Sequence, residues 1–183
     1  MAEQESAESI CPKMQVMLAV SHSIKGYPKP SVSSRNALDW ILTKLLRPCC
    51  KKEYKILIFH VQVPDEDGYE DMDSMYTTAN DIRSHHKTEK QKGLALLEYF
   101  VKRCNEAEVD CEAWLSKGDP KLIICKEAKE RQPDLLVLGS RGLGTLQRMF
   151  VGGSSSYCAK NAPCPVVIIR RDPSETPSDP LDD

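Results

Sequence analysis

The sequence predicts an α/β domain built on a mainly parallel β-sheet with helices on both faces. Short apolar runs, typical of buried strands, alternate along the chain with segments of helical periodicity. Strands joined by right-handed helical crossovers place helices on both faces of one sheet. The length of 183 residues suits one domain with a sizeable core. We assign this domain to residues 13–171, between a flexible acidic N-terminus at 1–12 and a disordered tail at 172–183.

The first third of the chain predicts two strands around one helix. Residues 14–20 form an apolar run, and residues 54–63 form a second one. Between them, Ser33 or Ser34 is expected to cap a helix that Pro48 ends. The apolar positions of this helix recur at helical spacing: Ala37, Leu38, Ile41, Leu42 and Leu45.

Residues 64–81 are predicted to form a long acidic loop. Asp65 and Asp67 have the spacing of a calcium loop, but Tyr76 stands where that loop needs a bidentate glutamate. We therefore expect a solvated loop, or a lid over a pocket, rather than a metal site.

A long helix is predicted over residues 81–107. Its buried stripe is expected to consist of Leu94, Leu97, Val101 and Cys104. A third strand at 111–116 follows, and then a helix over 120–131 that Asp119 caps and Pro120 begins. This second helix is expected to bury Leu122, Ile123 and Ala128.

The most informative segment joins the fourth strand to the last helix. The apolar run at 135–138 opens onto Gly139, and Gly152 and Gly153 precede a helix that starts near Ser154. Ligands of open parallel sheets bind beyond the carboxyl ends of the strands, where the strand order reverses. N–H groups at the start of this helix would point at an anion, and a nucleotide phosphate is the expected one. From spacing alone, a tight turn before a serine-capped helix stays an equal alternative.

Composition excludes several classes of function. The net charge is −2, so nothing suggests general binding of nucleic acid. No apolar stretch is long enough to span a membrane, and residues 1–9 lack the basic and apolar regions of a signal peptide. The eight cysteines contain no C-x-x-C pair, so we expect reduced thiols in a cytoplasmic protein. Adjacent Cys49 and Cys50 are the best candidates for oxidation.

Two stretches of the sequence resemble a known family. The spacing Gly139-x-x-Gly142, nine residues, then Gly152 resembles the nucleotide signature of the universal stress protein family. The segments Gly139-Ser-Arg-Gly-Leu-Gly144 and Asn161-Ala-Pro-Cys-Pro-Val-Val-Ile-Ile169 are similar to its plant branch. The resemblance covers about residues 14–171. It implies a Rossmann-like, five-stranded parallel sheet of order 3-2-1-4-5, a homodimer, and a bound AMP or ATP, with Mg²⁺ possible beside ATP.

The resemblance also implies contacts to the nucleotide. Contacts to the adenosine are implied for residues at the ends of three strands: Val20, Ser21, Val61, Leu138 and Gly139. Contacts to the phosphates and ribose are implied for the glycine loop and the helix after it: Arg141, Gly142, Gly152, Gly153, Ser154 and Ser155.

Two residues depart from the family's pattern. Ser21 stands where the family commonly has Asp, so recognition of base or ribose loses a charge. Gly153 stands where the motif continues with Ser or Thr, and one hydroxyl is lost. A net hydrogen bond contributes about 0.5–1.5 kcal/mol, so the second departure weakens binding without abolishing it.

Three functions remain open at this point. The first is a nucleotide-binding regulatory protein of the stress response. The second is a slow ATPase, in which Arg141 would stabilise charge, but no Walker lysine or general base adjoins the motif. His22 and His60 lie near the predicted cleft, where we expect structural or exposed roles. The third is a nucleotide-independent dimerisation or chaperone-like module. Whichever of the three holds, we expect a homodimer through the strand at 165–170, because its apolar run at 166–169 is expected to lie at the edge of the sheet.

Overall fold

The computed structural model describes residues 13–23, 25–63, 79–140 and 153–170. In that part the strands are β1 (Met14–Val20), β2 (Tyr54–Gln62), β3 (Asp110–Lys117), β4 (Leu135–Gly139) and β5 (Val166–Ile169). The α-helices are α1 (Val32–Trp40), α2 (Ala79–Glu106), α3 (Pro120–Arg131) and α4 (Ser154–Asn161). A π-helical turn (Ile41–Leu45) and a 3₁₀ segment (Pro48–Glu53) connect α1 to β2.

The five strands form one parallel sheet in the order β3-β2-β1-β4-β5. The α/β prediction and the strand order that the resemblance implied are therefore confirmed. β1 pairs with β2 up to Val20 opposite His60, and on its other side it pairs with β4 up to Ala19 opposite Leu138. β2 and β3 therefore extend the sheet on one side of β1, and β4 and β5 extend it on the other side. The strand order thus reverses between β1 and β4.

Apolar cores lie on both faces of the sheet. The core under α1 and α2 includes Val16, Leu18, Ile56, Ile58, Ala37, Leu38, Leu96 and Phe100. The core under α3 and α4 includes Met17, Leu57, Phe59, Leu136, Ile124, Ala128 and Cys158. Residues 135–138 of β4 are all buried, as expected for a strand covered on both faces.

The predicted cap of α1 is wrong by two or three residues. The cap is Ser31, whose side chain accepts a hydrogen bond from the N–H of Ser34, so Ser33 and Ser34 lie inside the helix and are buried. Three nearby serines satisfy the capping rule equally well in sequence. Tertiary contact decides between them, because the N–H of Ser31 donates to the carbonyl of Ser21 at 2.9 Å.

The predicted buried faces of two helices are also wrong in part. On α2, Leu94 is 47% exposed and Val101 is half-buried, while Leu96 and Phe100 join Leu97 and Cys104 in the core. On α3, Leu122 is 51% exposed, Ile123 is half-buried, and Ile124 takes the core position. Successive side chains along a helix differ in direction by about a quarter of a circle. A small rotation of the helix on the sheet therefore changes which of two neighbouring residues is buried.

Several sequence predictions concern residues outside the described ranges. These are the acidic N-terminus, the tail at 172–183, and the calcium-like pair Asp65 and Asp67. The seven cysteines that the structure describes are free thiols. No helix in the described part of the chain combines the length and apolar character that crossing a membrane requires.

Candidate functional site

A cavity of about 600 Å³ opens at the carboxyl ends of β1, β2 and β4. It therefore lies where the strand order reverses, the position at which open parallel sheets bind ligands. Its volume falls in the range of about 300–1,000 Å³ that is typical of small-molecule sites. The loop that follows β1 contributes Ser21, His22 and Tyr27, so it forms a wall of the cavity opposite β4.

Eight residues predicted from the sequence line this one cavity. They are Val20, Ser21, Val61, Leu138, Gly139, Gly153, Ser154 and Ser155. The other three predicted contacts, Arg141, Gly142 and Gly152, lie outside the described residues. The structure thus brings together three strand ends and the start of α4, which are far apart in the sequence.

Gly139 allows α1 to pack closely against the end of β4. A Cβ built on Gly139 would lie 2.5 Å from the carbonyl oxygen of Ser33 and 2.7 Å from its carbonyl carbon. The same contact is held by the hydroxyl of Ser33, which donates to the carbonyl of Ser140 at 2.7 Å. A glycine at this position is therefore required by packing, whether or not a ligand approaches.

Ser21 belongs to a cluster of three hydroxyl groups at the start of α1. Its Oγ lies 3.0 Å from Oγ of Ser31 and 3.3 Å from Oγ of Ser34, and its N–H donates to Oγ of Ser34 at 2.9 Å. The hydroxyl of Ser31 donates to that of Ser34 at 2.9 Å. Ser21 therefore joins the end of β1 to the start of α1 while it lines the cavity.

His60 is a buried polar residue in the cavity wall, with 3% of its surface exposed. Its Nδ1 lies 2.8 Å from the carbonyl oxygen of Val20, which can only accept, so Nδ1 carries a proton. In the neutral ring Nε2 then accepts from the hydroxyl of Tyr27, at 2.6 Å. His60 therefore fixes the loop after β1 to the end of β2, which is the structural role expected for it.

The N-terminus of α4 provides main-chain donors to the cavity. Gly153 is the cap residue, and no side chain of the helix caps it. The first intrahelical bond runs from the N–H of Tyr157 to the carbonyl of Gly153. Because the first N–H groups of a helix have no partner within it, those of Ser154 and Ser155 can donate to an anion in the cavity.

Some cavity residues were missed by the sequence analysis. Tyr27 and Ser34 come from the loop after β1 and from α1, Glu89 and Lys92 from α2, and Pro120 and Ile124 from α3. Lys92 donates to the carboxylate of Glu89 at 2.7 Å, so the charges of this pair are balanced. No local motif marks these positions, because only the packing of the helices brings them over the strand ends.

The described residues provide no metal site. No three His, Cys, Asp or Glu side chains in that part of the chain lie close enough together to hold an ion. The cavity itself combines hydroxyl groups, main-chain donors and apolar walls, which suits an organic ligand that carries a compact anionic group.

Sequence comparison assigns the family. The profile described as "Universal stress protein family" matches residues 29–170. The chain belongs to the universal stress protein family. A curated relative from Arabidopsis thaliana, "Universal stress protein A-like protein", is 52% identical over 170 residues, which are 92% of this chain and 97% of the relative.

Solved structures of universal stress proteins share the fold. A family member from Arabidopsis thaliana, solved with AMP bound, has a TM-score of 0.71 and 46% identity, over 93% of this chain and 99% of that one. The universal stress protein UspA of Lactobacillus plantarum has a TM-score of 0.59 and 20% identity, over 87% and 99% of the two chains. The second likeness concerns the fold alone.

Proposed function

We propose that this universal stress protein binds an adenine nucleotide, AMP or ATP, in the cavity between β1 and β4. The observation that carries the proposal is the convergence of eight predicted contact residues on one cavity at the reversal of strand order. The Arabidopsis structure with AMP bound supports it, because that protein is 46% identical over nearly the full length of both chains.

The adenine is expected at the end of β2, against the main chain of Val61. The carbonyl of Gln62 accepts from the N–H of Gly118 at 3.0 Å, so it faces β3. Carbonyls alternate in direction along a strand, and that of Val61 therefore faces the side of β1. The pairing of β1 with β2 ends at Val20 and His60, so this carbonyl lies just beyond the paired region. We expect it to accept a hydrogen bond from the amino group of an adenine.

The phosphates are expected at the start of α4. The N–H groups of Ser154 and Ser155 and the positive end of the helix dipole both favour an anion there. Gly153 adds no hydroxyl, in line with its departure from the family's motif. Contacts from Arg141, Gly142 and Gly152 remain predictions.

We propose a regulatory role in the stress response, without strong catalytic activity. Phosphoryl transfer needs a positioned nucleophile and stabilised charge. Among the described cavity residues, Lys92 is the lysine that could stabilise charge on a phosphate, but it already forms an ion pair with Glu89. Mg²⁺ would accompany the phosphates if the bound nucleotide is ATP. Steady multiple-turnover hydrolysis that is lost in a folded Arg141→Ala variant would overturn this view.

The nucleotide is tested by denaturing the purified protein and identifying the released small molecules by mass spectrometry. We expect AMP or ATP at close to one molecule per chain, and a sharp loss in Gly152→Val, whose side chain would stand where the phosphate approaches. A preparation that releases no nucleotide, and takes up none when incubated with AMP or ATP, would contradict the proposal.

We further propose that the protein is a cytoplasmic homodimer that pairs through β5. The free thiols of the described cysteines support a reducing compartment. β5 lies at the edge of the sheet, and its four residues are all half-buried. Pairing of two such edges across a two-fold axis would satisfy the main-chain groups of both.

A further inference from the structure

Three cysteines from separate segments meet on the face of the sheet that α3 and α4 cover. Cys125 lies on α3 and Cys158 on α4, and their Sγ atoms are 3.9 Å apart. The thiol of Cys158 also lies 4.0 Å from the carbonyl oxygen of Lys121 on α3. Cys164, just before β5, packs against the same core. The two helices therefore face each other through a pair of thiols.

We propose that Cys125 and Cys158 form a disulfide when the protein meets a hydroperoxide. A disulfide bond is about 2.05 Å long, so the two sulfur atoms have to approach by only about 2 Å. Small rotations of the two side chains and a slight approach of the helices can supply this movement. No unfolding of either helix is needed.

The different exposure of the two thiols sets the order of the steps. Cys125 is half-buried, so a small hydroperoxide can reach it, whereas Cys158 is fully buried. Burial, with a further contribution from the neighbouring Cys125, raises the pKa of Cys158 to about 12. Cys158 therefore stays a thiol at neutral pH and acts second.

The reaction balances with the hydroperoxide as the oxidant. The sulfur of Cys125 attacks the peroxide O–O bond, becomes a sulfenic acid, and releases an alcohol, or water when the oxidant is hydrogen peroxide. The sulfur of Cys158 then attacks Sγ of Cys125 as the S–O bond breaks. The leaving hydroxide takes the proton of Cys158 and departs as water. Two thiols are oxidised and one peroxide is reduced.

The bond would join two walls of the cavity. α3 contributes Pro120 and Ile124 to its lining, and α4 contributes Ser154 and Ser155, next to the cap residue Gly153. A cross-link between the two helices limits their separation, so we expect a bound nucleotide to exchange more slowly in the oxidised protein. This consequence rests on the proposed function, whereas formation of the disulfide does not.

Tryptic mapping tests the disulfide directly, because trypsin separates the three cysteines. Cys125 falls in peptide 122–126, Cys158 in 149–160 and Cys164 in 161–170. The full-length protein is treated with hydrogen peroxide, blocked with an alkylating agent and digested without reductant. We expect peptide 122–126 linked to 149–160, lighter by two hydrogen atoms than the two peptides together and separated by dithiothreitol.

Two single variants and an unfolded sample serve as controls. Cys164→Ser should keep the linked peptide, and Cys158→Ser should lose it and leave Cys125 oxidised as a sulfinic acid. Protein unfolded in urea should give mixed pairings. A wild-type protein that links Cys125 mainly to Cys164, or that leaves Cys125 unlinked while exposed Cys49 is oxidised, would overturn the proposal. Slower exchange of AMP, measured separately, tests only the consequence for the cavity.

Discussion

A Cβ on Gly139 would lie 2.5 Å from the carbonyl oxygen of Ser33. The two residues belong to β4 and α1, and their contact closes the end of the sheet beside the cavity. Because main-chain atoms of a helix cannot move aside as a flexible side chain can, the contact leaves no room for a side chain at residue 139.

Gly139→Ala should therefore destabilise the fold. The added methyl group forces α1 away from β4, and overpacking of this kind costs about 1–3 kcal/mol. Urea unfolding followed by circular dichroism would measure the loss. An unchanged midpoint of unfolding would mean that α1 leaves room for a methyl group beside β4.

Gly153→Ser should tighten binding of AMP. A Cβ on Gly153 meets no atom within 4 Å, so the structure has room for a serine there. Its hydroxyl can donate to the phosphate, and one net hydrogen bond of about 0.5–1.5 kcal/mol corresponds to a gain of roughly 2- to 12-fold in affinity. Gly153→Ala is the matched control, since it adds the bulk without the hydroxyl. Equal affinities for the serine and alanine variants would show that residue 153 does not face the phosphate.

The difference between these two glycines shows what sequence could predict. The apolar run of β4, Gly139 and the start of α4 carry local signals, and these signals predict a ligand site where the structure has a cavity. The same local pattern does not distinguish the two glycines. A side chain at residue 139 would clash with the main chain of Ser33, whereas a Cβ at residue 153 would meet no atom within 4 Å. That distinction depends on α1, which lies more than a hundred residues earlier in the chain.

The missed residues have the same physical origin. Lys92 and Ile124 reach the cavity only because α2 and α3 pack over the strand ends. The rotation of each helix on the sheet decides which of two neighbouring apolar residues is buried. Helical spacing predicts Leu94 and Leu122 in the core, but the rotation of their helices leaves both side chains exposed. Periodicity predicts the helix and its approximate face, while the exact rotation is a tertiary property.

Wild-type stability should fall at alkaline pH relative to Cys158→Ala. The pKa of Cys158 is raised from 9.0 to about 12 in the folded protein, chiefly by burial. Its stabilising contribution is therefore complete below pH 9, where the unfolded chain also holds the proton, and is lost as the pH rises from 9 to 12. We expect the difference in unfolding free energy between wild type and variant to shift by about 1 kcal/mol between pH 8 and pH 10. Both proteins are measured under reducing conditions. Unfolding free energies that change with pH in the same way in wild type and variant would refute this prediction.

Ile168→Pro should weaken dimerisation. The carbonyls of Pro165 and Ile169 accept from β4 and from Ser140, so the main-chain groups of Val166 and Ile168 face the outer edge of β5. Proline at residue 168 removes an outward N–H and spares the pairing with β4. We expect at least about a tenfold rise in the dimer dissociation constant by analytical ultracentrifugation. Ile168→Val keeps the N–H and is the control. A wild-type protein that stays monomeric at every micromolar concentration would rule out the dimer itself.

Binding of an adenine nucleotide is tested most directly by isothermal titration calorimetry on nucleotide-free protein. AMP and ATP are titrated separately into the wild type and into a folded Gly152→Val variant. We expect saturable binding of one nucleotide per chain in the wild type, for at least one of the two ligands, and a sharp loss of affinity in the variant. Binding of neither nucleotide by the folded wild type, or equal affinity in the variant, would contradict a nucleotide site at the start of α4.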